Sequence, residues 1–215
     1  MLRSLKQLYG DKLGASDGEI GHIKDFYFDD QNWAIRYIVA DTGTWLPGRQ
    51  VLISPHSLAS PAASGKIVDV GLTRKQIENS PSIESQKPVS RQHEEEYHKY
   101  FGWPPYWKAD AADIIGPQPE REVHLRSTRA VNGYLLRMGE ETLGHICDFM
   151  IDAESWTIGQ LVVKTGHRFS GKEMLIEMKQ VERIGYDEST IFAHLNPEIS
   201  ESVVANHLAP VAAAN

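Results

Sequence analysis

One stretch of sequence occurs twice in this chain, at a constant offset of 123 residues (Gly21 to Gly144). Gly21-His22-Ile23 returns as Gly144-His145-Ile146, and Asp25-Phe26 as Asp148-Phe149. Asp29, Trp33 and Ile35 return as Asp152, Trp156 and Ile158. The register holds without a gap through Val39/Val162, Thr42-Gly43/Thr165-Gly166 and Leu52-Ile53/Leu175-Ile176, and backwards to Arg3-Ser4/Arg126-Ser127 and Gly10/Gly133. A period this long exceeds that of solenoid arrays, so each copy is expected to be a small folded domain. What recurs is mostly Gly, Asp and apolar residues, which specify turns and a core. Neither copy supplies a nucleophile, a base and an orienting group together, so no catalytic residue is assigned and no enzyme activity is expected.

Two small domains and a linker account for the 215 residues. A unit of roughly 75 residues lies near the lower limit for an independent core, so the copies are expected to lean on each other or on the linker. A net charge of −7 and the lack of any Lys/Arg-rich run argue against a grip on a phosphate backbone, so no nucleic-acid partner is expected. The single cysteine, Cys147, excludes an intramolecular disulfide, and no zinc-type spacing is present. Its counterpart in the first copy is Lys24, so Cys147 reads as a plain buried or half-buried thiol and not a reactive one. No run reaches membrane-spanning length and the first residues lack the apolar stretch of a signal peptide; a cytoplasmic location is expected.

Short Val/Ile/Tyr/Trp runs separated by Gly, Asp and Pro predict mainly β structure. In the first copy, residues 20–28 and 33–41 read as two strands around an Asp/Asn turn. Ile38 and Ala40, with Leu161 and Val163, make these strands apolar on both faces, which predicts packing between the copies or against a second chain. Thr73 and Gln76 form a capping-box pattern ahead of a short helix. The boundaries read as a first domain over 1–81, a linker over 82–122, a second domain over 123–200 and a disordered tail over 201–215. The linker carries a helix near 90–100 and then the densest aromatic cluster of the chain, Phe101 to Trp107.

Few residues invite a chemical reading. His22 and His145 recur, but lack the spacing of a ligand set and read as structural imidazoles bonding inside the fold, with no metal. Asp29 and Asp152 read as turn starters, and Asp25 and Asp148 as acceptors from a neighbouring strand or a cation. Glu94-Glu95-Glu96 reads as a solvated helix face. For Trp103, Tyr106 and Trp107 two readings stand: internal packing, or anchors for a partner. Trp45, Leu46 and Pro47 read as an exposed apolar hairpin tip that docks a partner, since the second copy carries Arg168-Phe169-Ser170 there; a second reading folds Trp45 down onto the linker aromatics.

Gly18-Glu19-Ile20-Gly21, Asp25, Asp29, Trp33, Arg36-Tyr37, the Trp45-Leu46-Pro47-Gly48-Arg49 loop and Val51-Leu52-Ile53-Ser54-Pro55 resemble the PRC-barrel family, which includes the cytoplasmic domain of the photosynthetic reaction-centre H subunit and the C-terminal domain of the ribosome maturation factor. Lys87 to Glu94 and Tyr100 to Trp107 resemble the linker of tandem PRC-barrel proteins of bacteria. The resemblance covers nearly the whole chain. It implies two small antiparallel β-barrels in tandem, and docking of other proteins in place of catalysis. The second copy departs from the pattern, with Gly159-Gln160 at the positions of Arg36-Tyr37. The expectation is therefore a protein-interaction adaptor without cofactors, whose partner is an unidentified protein, with a homodimer left open. The alternative is a sensor that binds a small ligand or ion between the barrels.

Overall fold

The structure is a computed structural model and describes residues 1–58, 67–81, 91–109, 125–165 and 172–194. Arg168-Phe169-Ser170, Gly166 and the tail over 201–215 lie outside those residues. The first copy contains β1 (Leu2–Ser4), β2 (Lys12–Ala15), β3 (Gly18–Asp29), β4 (Ile35–Asp41), β5 (Gln50–Ile53) and β6 (Ile67–Asp69), then helix α1 (Arg74–Glu78). The linker holds α2 (Arg91–Phe101) and α3 (Tyr106–Ala109). The second copy repeats the series as β7 (Leu125–Ser127), α4 (Thr128–Val131), β8 (Leu135–Met138), β9 (Glu141–Asp152), β10 (Thr157–Thr165) and β11 (Glu173–Glu177), followed by β12 (Val181–Gly185) and β13 (Thr190–Ala193).

The fold is mainly β, as the alternating pattern predicts, and forms two sheets. One runs β5-β4-β3-β2-β6; the other runs β11-β10-β9-β8-β13-β12. The sheets are mixed where all-antiparallel ones were expected, because β2–β6 and β8–β13 pair in parallel. In the second copy β13 leaves a hairpin with β12 and lands beside β8. More than fifty residues separate β8 from β13, a length that permits a parallel neighbour. Among the described residues each path of pairings stays open, ending on β5 and β6 or on β11 and β12.

The first strand of each copy joins the other copy's sheet. β1 pairs with β9 through Leu2↔Asp152 and Ser4↔Met150, while β7 pairs with β3 through Leu125↔Asp29 and Ser127↔Tyr27. These registers are the same pairings with the copies exchanged. Two further bonds close the seam: Ile35 N–H donates to the Trp156 carbonyl at 2.7 Å, and Ile158 N–H to the Trp33 carbonyl at 2.8 Å. Both tryptophans hold positive φ, 60° and 54°, a rare conformation for a bulky residue that surrounding structure must impose. Here each Trp N–H donates to the carbonyl of the turn aspartate, Asp29 or Asp152. The left-handed residue also explains why β4 begins at Ile35, two residues after the strand start expected at Trp33.

A single apolar core spans both copies. Phe28 and Phe149 meet with ring centres 6.2 Å apart, and Phe26 and Trp156 at 6.4 Å. Ile38, Ala40, Leu161 and Val163 are all buried. The Thr73/Gln76 capping box forms as expected and starts α1. α3 follows Pro104-Pro105, residues whose fixed φ suits entry into a helix.

Candidate functional site

The recurring aspartates belong to the seam. Asp148 accepts from the hydroxyl of Ser4, from Lys6 N–H at 2.9 Å and from Phe149 N–H at 2.7 Å. Asp25 accepts from the hydroxyl of Ser127, from Arg129 N–H at 3.2 Å and from Phe26 N–H at 2.8 Å. Each carboxylate thus ties down the start of the other copy. Asp29 and Asp152 accept from Gln31 N–H and Glu154 N–H in their turns. These are the neighbouring-strand and turn roles expected from sequence. The histidines differ from expectation: His22 is exposed and His145 half-buried. Among the described residues no group of three His, Cys, Asp or Glu could hold a metal ion.

Residues 91–109 of the linker lie as a strap on the outer face of the first sheet. Tyr97 and Glu94 of α2 are fully buried, and Trp103 is 8% exposed. Trp103 Nε1–H donates to Ser57 Oγ at 2.7 Å, and Tyr97 stacks on Trp103 with centres 6.5 Å apart. Tyr106 donates to Glu94 and lies under the Arg36 guanidinium, 3.8 Å from the ring centre. Trp107 is half-buried and packs edge-on against His98 at 4.6 Å. All three linker aromatics therefore pack internally, one of the two readings open from sequence.

Beneath them runs a buried polar chain that sequence reasoning missed. Tyr37 Oη lies 2.9 Å from Glu94 Oε1 and 3.0 Å from His98 Nε2, and His98 Nδ1 lies 3.0 Å from the Pro104 carbonyl. Glu94 is thus a buried acceptor and not part of a solvated face. The run of three glutamates concealed it. The available signal was spacing: Glu94, Tyr97 and His98 lie three and four residues apart, on one face of a helix.

The Trp45 loop does not stand out as an exposed apolar tip. Trp45 and Leu46 are half-buried, and only Pro47 is exposed. The Arg74 guanidinium sits 4.6 Å from the centre of a Trp45 ring, and the Leu46 carbonyl accepts from Thr42 Oγ1 at 2.8 Å. Thr42 also reaches the Arg49 carbonyl, as Thr165 reaches that of Lys172 in the second copy. A backbone clasp common to both copies therefore holds the loop down.

Concavities lie away from the strap as well. A groove of about 380 Å³ on the second sheet is lined by Leu2, Gly159, Gln160, Glu177, Met178 and Lys179. Gly159 and Gln160 occupy the positions of Arg36 and Tyr37, which the strap covers in the first copy. Among the described residues no segment lies over this groove. A cleft of about 500 Å³ opens where the copies meet, with Tyr9, Lys24, Arg129 and Cys147 in its walls. Burial pushes the Tyr9 hydroxyl up to about 12 and also raises the Cys147 thiol.

Among the described residues no helix is long and apolar enough to cross a membrane. Compared with protein-family models and with curated proteins, the chain matches none.

Proposed function

We propose that this chain is a non-enzymatic, cytoplasmic adaptor of the tandem PRC-barrel type, which docks a partner protein on the outer face of its second copy. The observation that carries the reading is the unequal cover, among the described residues, of two equivalent faces. In the first copy the Tyr37 face seats a helical, aromatic segment through Glu94, Tyr97, Trp103 and Tyr106. The equivalent face of the second copy, around Gln160, carries an open groove with Leu2 41% exposed at its edge. A sheet face that accepts one peptide segment suits another of related shape, and replacing Arg36 by Gly159 leaves room for one. Pro47, with the open side of Trp45, supplies a second and smaller contact. Trp103, Tyr106 and Trp107 are assigned to internal packing.

A photo-crosslinking amino acid placed at Gln160 in the full chain tests this in the native host. A discrete adduct is expected from position 160, absent when the same group replaces the exposed Lys75, and lost when Met178→Asp is added. Equal adducts at both positions, or none at 160, would overturn the reading.

A further inference from the structure

We propose that the cleft between the two copies binds a phosphate-bearing small molecule. The site shares no lining residue with the groove on the second sheet, so this inference stands apart from the docking reading.

The cleft straddles the seam, and its walls contain residues that correspond to each other in the repeat: Lys6 with Arg129, Tyr9 with Asn132, Lys24 with Cys147. Each copy therefore contributes one cation from the same place in its chain. The Arg129 guanidinium reaches across the boundary, donating to the Lys24 carbonyl at 3.2 Å and lying 5.8 Å from the Tyr9 ring centre. Lys6, from the first copy, lines the same cleft as Cys147 of the second.

Charge pairing decides the ligand class. The two carboxylates of the cleft are engaged. Asp41 faces Lys24 at 3.7 Å and accepts from Gly43 N–H at 3.0 Å; Asp148 is held by Ser4, Lys6 N–H and Phe149 N–H. Lys6 Nζ and the Arg129 guanidinium have no carboxylate within ion-pairing distance among the described residues. Among the described residues, two cations without an ion-pair partner line one opening, in a chain whose net charge is −7.

Geometry narrows the class further. Lys6 and Arg129 approach from opposite copies, and the Asn132 amide and His22 ring add further polar groups. A tetrahedral dianion accepts hydrogen bonds from several directions, whereas a planar carboxylate matches a single guanidinium fork. The volume falls inside the range of about 300–1,000 Å³ typical of small-molecule sites, so an organic portion fits beside Tyr9 and Ile23.

Inorganic phosphate and pyrophosphate, titrated into the full-length protein by calorimetry at fixed ionic strength, provide the test. Saturable binding is expected, tighter for pyrophosphate, and absent for acetate. Lys6→Gln or Arg129→Gln should each weaken it about tenfold, and the double variant should abolish it, with Lys75→Gln as an unaffected control. Both positions are exposed, so melting temperatures should stay near the parent's and separate lost binding from lost folding. Failure of both probes to saturate, or unchanged affinity in the double variant, would overturn the site.

Discussion

The backbone N–H of Ile35 donates to the carbonyl oxygen of Trp156 across 2.7 Å, joining a strand of the first copy to the turn of the second. With its counterpart from Ile158 to Trp33, and with the exchanged strands β1 and β7, it leaves neither copy with a complete sheet of its own. Duplicated domains of this size could fold as beads on a string. Here the repeat is intertwined.

One consequence concerns cooperativity. Because each copy completes the other, chemical denaturation should show one transition, not two, by both tryptophan fluorescence and far-UV dichroism. Asp25→Ala and Asp148→Ala should each shift that same transition, by about 3 kcal/mol, since each removes the acceptor of two backbone N–H groups and of the Ser127 and Thr128 hydroxyls (Asp25) or the Ser4 hydroxyl (Asp148). Two separable transitions, each answering to one of the variants, would refute the intertwined description.

A second consequence concerns Gly21 and Gly144. A Cβ at Gly21 would lie 2.0 Å from the Asp41 carbonyl oxygen, and one at Gly144 would lie 2.3 Å from that of Lys164. Backbone atoms in a paired strand cannot withdraw as a flexible side chain could. Gly21→Ala and Gly144→Ala should therefore each cost about 3 kcal/mol or more. Gly43→Ala, at φ 55° with open space around it, should cost about 1 kcal/mol. Midpoints of denaturant unfolding give the comparison.

A third concerns the strap. Removing the Tyr37 hydroxyl takes away the atom that touches both Glu94 and His98 in a buried setting. Tyr37→Phe should cost about 2 kcal/mol and let the linker loosen first. Fluorescence from Trp103 and Trp107 should then shift to the red at denaturant concentrations where far-UV dichroism is still native. Coincident curves in the variant would mean that the strap and the sheet open together regardless of this chain.

Much of the architecture was legible because a repeat reports on backbone. Gly21/Gly144 and Trp33/Trp156 recur, and each recurrence has a cause visible in the structure: a carbonyl too close for a side chain, or a residue held at positive φ. The strand exchange was not legible. Arg3-Ser4 and Arg126-Ser127 recur whether each pair serves its own copy or the other, since a repeat does not say which copy a strand completes. Glu94 was hidden for a different reason. A glutamate beside two others on a helix near water gives no sign of burial until Tyr37 and Tyr106 are seen to meet it. The Trp45 loop was misjudged in exposure because Arg74, whose guanidinium covers the indole, lies 29 residues further along the chain.

The last prediction concerns alkali. Burial raises the hydroxyl of Tyr9 to about 12 from an ordinary 10.0, and raises those of Tyr27, Tyr97 and Tyr186 as well. A raised value means that the folded chain keeps a proton which the unfolded chain releases. Below about pH 10 both states hold it, and the contribution to stability is fully present. Above that, the unfolded state ionises first, so stability falls until the folded state ionises too. For Tyr9 the window runs from about 10 to about 12, and the slope there is about 1.4 kcal/mol per pH unit. Tyr9→Phe should lose the 2.7 Å bond to Thr128 and be less stable at neutral pH. Its stability should nevertheless fall less steeply between pH 10 and 12 than the parent's, so the two curves converge. Lysines titrate in the same range, but equally in both proteins, and cancel in the difference. Parallel curves for parent and variant in urea unfolding across this range would mean that the Tyr9 hydroxyl titrates as it does in water.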